Sequence, residues 1–257
     1  MSDEAPLIDA RCRAVDLGYA LDEHTVAWPG AGEGFSLCMT SHGASPVGGP
    51  DTFYSAGTFR CAEHAGTHVD APWHFHEHGA TVDALELSRL VAPAHVLRTA
   101  RADVTAATVL AHEAAHGALP RGCIVLCDTG WAAEFALGAA AYLGFAGPGL
   151  PADASALDFP GIARDAAELL ALRGVAAVGI DTASLDPGAC RSFDAHRVLL
   201  SRGVYGIENL TGGVTTLPPR GFTVVVMPMK IAGGSGAPAR VIAYVPPAAE
   251  VAGQGLR

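Results

Sequence analysis

The stretch HAGTHVDAPWHFHEH, residues 64–78, holds five of the chain's eleven histidines, together with Asp70 and Glu77. Gly66 inside it and Pro72 after Asp70 argue against a continuous helix. An extended segment over 67–69 fits better, because His68 and Asp70 then stand two apart and point to one side. A turn at Gly66 brings His64 back to the same point. Pro72 redirects the chain so that His74 faces that point from another direction. The glycine and the proline thus fold a short segment around one centre.

Two imidazoles and a carboxylate suit a borderline divalent cation such as Zn²⁺, and also Mn²⁺. Three protein ligands leave a position open for water, the pattern of catalytic sites, where the water's pKa drops from about 15.7 to about 7. The plainer alternative is a solvated, histidine-rich loop. The spacing, the carboxylate and the Gly and Pro positions favour the metal. His76 and His78 alternate with Phe75 and Glu77 and receive no role.

The rest of the chain bounds what such a site can serve. Its 257 residues are half hydrophobic, which supplies a core and excludes intrinsic disorder. A net charge of −10 argues against nucleic acid or an acidic membrane as partner and leaves a small-molecule substrate. The six cysteines form no CxxC, and Cys123 and Cys127 flank an apolar run and read as buried thiols. The acidic start MSDEAPLIDARCR has no apolar signal region, and no run reaches about 18 apolar residues. The expectation is a cytoplasmic protein with no membrane span.

Strand and helix patterns alternate without repeat or linker, which predicts one α/β domain over 1–257 with a mixed sheet flanked by helices. Strands are expected at Val15–Leu17, VAPAHVLRTA, GCIVLCDTG, VAAVGID, VYGIENL, FTVVVMPMKI and ARVIAYV, and a hairpin at TFYSAGTFRC. Helices are expected in VTAATVLAHEAAHGAL, stopped by Gly117 and Pro120, in IARDAAELLALRG with Gly174 as C-cap, and in FDAHRVLLSRG with Asp194 as N-cap. Residues 31–52 read as an irregular excursion and 136–160 as a surface loop.

Two motifs are set aside. HEAAH at 112–116 fits the zincin pattern HExxH, but its helix stops at Gly117 and no third ligand follows, so it reads as an exposed helix face. GGSG at 233–236 lacks the lysine and the helix of a phosphate loop and reads as a turn. Ser184 has no nucleophile elbow around it, so Asp181 and Ser184 are expected to support the site through hydrogen bonds.

HAGTHVDAPWH resembles the HxGTHxDxPxH signature of the cyclase family that includes bacterial kynurenine formamidase and isatin hydrolase. The likeness extends through WPG at 28–30, TGW at 129–131, GIDTASLD at 179–186, AHRVLLSRGVYGIENL at 195–210 and GSGAPARVIA at 234–243. It implies a swivelling β/β/α fold. It implies His64, His68, Asp70, His196 and Glu208 as metal ligands, with Asp70 and Glu208 bridging where two ions bind. It implies His74 as general acid/base and Trp28 in the substrate pocket. Trp28, with Trp73 or Phe75, is expected to stack on an aryl substrate. The chain is longer than the compact formamidases, mainly at 31–60 and 132–160, which is more like the isatin hydrolases. The implied activity is metal-dependent hydrolysis of an amide C–N bond in a small aromatic substrate, using one or two Mn²⁺ or Zn²⁺. A lactone hydrolase or an antibiotic-pathway cyclase would use the same site. A metal-binding protein without turnover would show a degraded site, whereas every ligand position here is filled. A homodimer or homotetramer is implied by the resemblance alone.

Overall fold

The computed structural model describes residues 10–30, 34–44, 52–147 and 154–247. In chain order the strands are β1 (Arg13–Asp16), β2 (Phe35–Ala44), β3 (Phe53–Cys61), β4 (His68–Asp70), β5 (Val91–Arg98), β6 (Ile124–Asp128), β7 (Ala177–Ile180), β8 (Tyr205–Glu208), β9 (Arg220–Pro228) and β10 (Gly236–Val245). The helices are α1 (Leu87–Leu90), α2 (Ala106–His116), α3 (Ala139–Tyr142), α4 (Arg164–Arg173) and α5 (Asp194–Ser201). Eight strands form one mixed sheet in the order β1-β10-β4-β8-β7-β6-β5-β9, and β9 also pairs with β10, which closes the sheet on itself. Strands β5 to β8 run parallel to one another, and the remaining pairs are antiparallel.

Closure explains the unbroken apolar runs. Along β6, Ile124 and Leu126 join the core inside the sheet, with Val69, Ile207, Val224 and Val241. Val125 and Cys127 point outward into a second core beneath the helices, with Val109 of α2, Leu170 of α4 and Leu199 of α5. A strand buried on both faces carries no polar alternation. The inner and outer faces also place the site. Val69 and Ile207 face inward, so His68 and Asp70 on β4 and Glu208 on β8 face outward, under α5.

Several expectations need correction. Residues 35–44 are not irregular: they form β2, whose partner is β3, so TFYSAGTFRC is one strand of a two-stranded ribbon rather than a whole hairpin. Its Gly, Ser and Thr content hid the Phe35, Leu37, Met39 alternation. The parts of that segment at 31–33 and 45–51 lie outside the described residues. The 136–160 segment is not all surface loop: α3 interrupts it, and Tyr142, Leu143, Leu157 and Phe159 are buried in a third small core with Val26 and Ala183; residues 148–153 lie outside the described residues. Asp194 is the first residue of α5 rather than its cap. Phe193 holds the cap position with φ 51° and cannot supply a side-chain acceptor. The Asp186 carboxylate does so instead, accepting from the backbone N–H of Ala195 at 2.7 Å and of His196 at 3.2 Å.

Among the described residues, no helix is long and apolar enough to cross a membrane.

Candidate active site

The paired register of β4 and β8 sets the floor of the site. His68 lies opposite Glu208 and Asp70 opposite Gly206. A side chain at Gly206 would crowd Asp70, since a Cβ there would fall 3.2 Å from Oδ2. Gly66, with φ +59°, turns the chain before β4 in the conformation that glycine adopts freely. Pro72 begins a single turn of 3₁₀ helix that ends at His74. α5 brings His196 over the same point.

Three imidazoles converge on two carboxylates. His64 Nδ1 lies 2.6 Å from Asp70 Oδ1, and His68 Nε2 lies 3.2 Å from the same oxygen. His196 Nε2 lies 3.2 Å from Asp70 Oδ2 and 3.1 Å from Glu208 Oε1. His68 Nε2 is also 3.4 Å from Glu208 Oε2. His68, Asp70, His196 and Glu208 are all buried. The far ring nitrogens are tied down. His68 Nδ1 donates to the Gly66 carbonyl at 2.8 Å, and His196 Nδ1 donates to Asp186 Oδ2 at 2.6 Å. Both rings therefore turn Nε2 toward the carboxylates.

The cluster moves protons strongly. Burial opposes charge on His68, but Asp70, Glu208 and the Gly66 carbonyl outweigh it and raise its pKa to about 9. His196 is likewise raised well above its usual value, against burial, by Asp186, Asp70 and Glu208. Burial would lift the Asp70 carboxyl, yet the facing imidazoles of His196, His64 and His68 hold it well below the carboxylate range. His74 goes the other way. Crowding by surrounding protein and then the neighbouring imidazoles push it down to about 4, against the pull of Asp70.

A cavity of about 260 Å³ opens above this floor. His74 stands at its side, its ring stacked on His64 at 3.9 Å between centroids. Trp28, Phe75, Phe193 and Leu143 supply an apolar wall. Phe193 packs 6.1 Å from Trp28 and 5.2 Å from Phe75. The structure thus gathers His64, His68, Asp70, His74, His196, Glu208, Trp28 and Phe75 around one cavity. Trp73 is the exception and corrects the expectation of stacking there: it is 43% exposed and does not line the cavity, because adjacent residues of the 3₁₀ turn point in different directions.

Sequence reading passed over three contributors. Asp186 orients His196, and its position in GIDTASLD carries no spacing signal that separates it from Asp181 and Ser184. Asp181 instead accepts from the backbone N–H of Thr129, Trp131 and Ala132 and shapes the turn under the wall, while Ser184 lines the cavity and accepts from the Asp186 N–H. Phe193 read as a helix-start residue, with no sequence sign of its wall position. Asn209 lines the cavity in the left-handed conformation, φ 60°, with its Nδ2 donating to the Gly66 carbonyl.

The HEAAH helix face was expected to be exposed, and the structure corrects this in part. His112 is buried and its Nε2 lies 3.0 Å from Nδ1 of His95 on β5, while Glu113 forms a bidentate ion pair with Arg173 of α4.

A family model named Cyclase, described as "Putative cyclase", matches residues 15–187. The kynurenine formamidase of Salinibacter ruber is 30% identical over 229 residues, spanning 89% of this chain and 95% of that protein. The isatin hydrolase of Roseibium aggregatum is 31% identical over 223 residues, spanning 80% of this chain and 81% of that protein. Among solved structures, isatin hydrolase A from Ralstonia solanacearum superposes with a TM-score of 0.77 at 31% identity, covering 91% of this chain and 92% of that one.

Proposed function

This chain belongs to the cyclase family, and from that premise we propose that it is a metal-dependent hydrolase cleaving an amide C–N bond in a small aromatic substrate. The observation that carries the proposal is the convergence of His64 Nδ1, His68 Nε2 and His196 Nε2 on Asp70 and Glu208 beneath an aromatic-walled cavity. The residues fit a divalent cation. Among the described residues, buried His68 Nε2 and Asp70 Oδ2 have no hydrogen-bond partner, and such orphaned groups cost about 1–3 kcal/mol each. His64, His68, Asp70, His196 and Glu208 would hold it. Each carboxylate turns its two oxygens toward different rings, which supports one or two ions, with Mn²⁺ and Zn²⁺ both matched to the donor set.

When bound, such a cation lowers the pKa of water and polarises a carbonyl oxygen. The chain's own residues do the rest. Trp28, Phe75 and Phe193 hold the aryl ring by stacking and exclude water from it. His74, at the cavity side, takes a proton from the attacking water and delivers it to the departing nitrogen. Asp186 keeps the His196 ring turned toward the carboxylates.

Likeness to isatin hydrolase A in solved structure supports an isatin-like cyclic amide ahead of an N-formylkynurenine-like aryl formamide, while sequence identity to the two kinds of relative is nearly equal. The test offers isatin and N-formylkynurenine to the protein reconstituted in parallel with Mn²⁺ and Zn²⁺, with hydrolysis followed by absorbance. Preference for isatin is the expected result. Preference for the formamide makes the chain a formamidase. Turnover of neither, with metal bound, overturns amide hydrolysis and moves the site to lactones or cyclisation.

The proposal extends to the whole protein. Residues 1–257 act as one domain, supported by the pairing of β1 with β10 across the length of the chain. The cell compartment is the cytoplasm, supported by the free thiols of all six cysteines. The assembly is a homodimer or homotetramer. In support, the β2–β3 ribbon exposes Leu37, Met39, Phe53, Tyr54 and Phe59, and an isolated two-stranded ribbon with apolar faces is marginal in water.

A further inference from the structure

The turn at Gly234, Ser235 and Gly236 touches the metal-site residue His64 through a chain of three groups. Ser235 Oγ donates to Glu63 Oε2 at 2.6 Å, and the Ser235 backbone N–H donates to the same oxygen at 3.2 Å. His64 Nε2 lies 2.9 Å from Ser235 Oγ. A carboxylate only accepts, so it takes the one hydroxyl proton of Ser235. The hydroxyl oxygen must then accept from His64, which places a proton on Nε2. Nδ1 is left facing Asp70 Oδ1 at 2.6 Å. An unprotonated nitrogen and a carboxylate oxygen tolerate that separation only with a positive centre between them, a proton or a metal ion.

The two glycines shape the cradle. A Cβ at Gly236 would stand 2.5 Å from His64 Cε1, and one at Gly234 would stand 2.9 Å from Glu63 Oε1. Only backbone fits against the imidazole and the carboxylate here. The Ser235 carbonyl is itself fixed by the Ala71 N–H at 2.9 Å, which ties the turn to the end of β4.

We propose that Glu63 and Ser235 are positioning residues, which hold His64 in the tautomer that aims Nδ1 at the Asp70 carboxylate. His64 is thereby the odd member of the triad. His68 and His196 are each held at Nδ1 and aim Nε2, while His64 is held at Nε2 and aims Nδ1. The inference rests on the metal-site reading above.

The test compares the parent protein with Ser235→Ala and Glu63→Gln. Zinc affinity is read by competition with a chromophoric chelator, and His64 is read by ¹⁵N–¹H correlation of the zinc-loaded, ¹⁵N-histidine-labelled protein. In the parent, His64 should show a protonated Nε2 and a metal-bound Nδ1, opposite to His68 and His196. Ser235→Ala should weaken zinc binding about 10–100-fold, the usual effect of losing an outer partner of a ligand histidine. Glu63→Gln keeps an acceptor for the hydroxyl and should lose less. Thermal melts of the metal-free proteins identify any variant that loses affinity merely by misfolding; in that case the parent's ¹⁵N pattern decides. Metal bound through His64 Nε2, or affinities within threefold of the parent in both variants, would overturn this inference while leaving the metal site standing. A parent that takes up no zinc and no manganese would overturn both.

Discussion

Two histidine clusters sit on this chain, and they behave in opposite ways. In the first, His64, His68 and His196 surround Asp70 and Glu208. In the second, His95, His112 and His116 pack together between β5 and α2, with Arg98 and Arg220 as their charged neighbours and Glu113 turned away to Arg173. Carboxylates raise His68 to about 9, whereas burial, then neighbouring imidazole and guanidinium charge, push His95 down to about 4. What the rings face, and not how many there are, decides which cluster can hold a cation. The zincin-like spacing of the second cluster puts His112 and His116 on one face, yet it provides no free carboxylate and a hostile field.

The largest expected effect comes from breaking the first cluster's centre. Asp70→Asn removes the one carboxylate that meets all three imidazoles, so bound metal should disappear and turnover should fall below detection. The paired change His112→Ala with His116→Ala should leave metal stoichiometry and turnover as they were. Elemental analysis and a hydrolysis assay on both proteins check this. Loss of metal in the second variant would erase the distinction between the clusters. Next in size is His74→Ala. The ring stacks on His64 but serves the reaction as proton carrier, so turnover should drop about 10²–10⁴-fold with metal still bound. Full turnover in that variant would remove His74 from the chemistry.

The same contrast explains what could be read in the sequence. His64 to His74 was legible because Gly66 and Pro72 fold it locally, within eleven residues. The alternation of β8 was legible too, placing Glu208 opposite Ile207. Asp186, Phe193 and Ser235 were not, because each reaches the site through tertiary packing. Ser235 lies 171 positions from the ring it holds, and spacing cannot register such a distance. Trp73 and Phe75 show the limit at short range. Both are aromatic and both flank His74, but a single 3₁₀ turn sends Trp73 to solvent and Phe75 to within 5.2 Å of Phe193. The HEAAH motif was set aside for its missing third ligand, whereas the burial of His112 depends on His95, which lies seventeen positions away on β5.

The opposed pKa shifts give opposite pH limbs. An unfolded histidine titrates near 6.5. His95 and His74 at about 4, and His112 also lowered, bind fewer protons folded than unfolded between those values, so stability should fall as pH drops from about 6.5 toward about 4. His68 at about 9 in the metal-free protein binds more protons folded, so its contribution should be lost as pH rises through about 9. Metal must displace that proton, so affinity should tighten with rising pH over the same range. Denaturation midpoints of the metal-free protein across pH should show both limbs, and His95→Gln should flatten only the acid one. A variant that flattened the alkaline limb as well would mean the clusters are coupled.

The smallest effect separates the zincin pattern from its chemistry. In a zincin, the glutamate of HExxH is the general base. Here Glu113 accepts from Arg173 Nε at 2.7 Å and Nη2 at 2.8 Å, and from the Leu119 backbone N–H at 3.2 Å. Those bonds tie α2 to α4 and to the loop after Gly117. Glu113→Gln keeps the shape and loses the charge of a solvent-screened pair, so the melting temperature should fall by no more than about 2–4 °C. Turnover should not change. A variant that melts normally but hydrolyses poorly would make the second cluster part of the chemistry and reverse the contrast between the two.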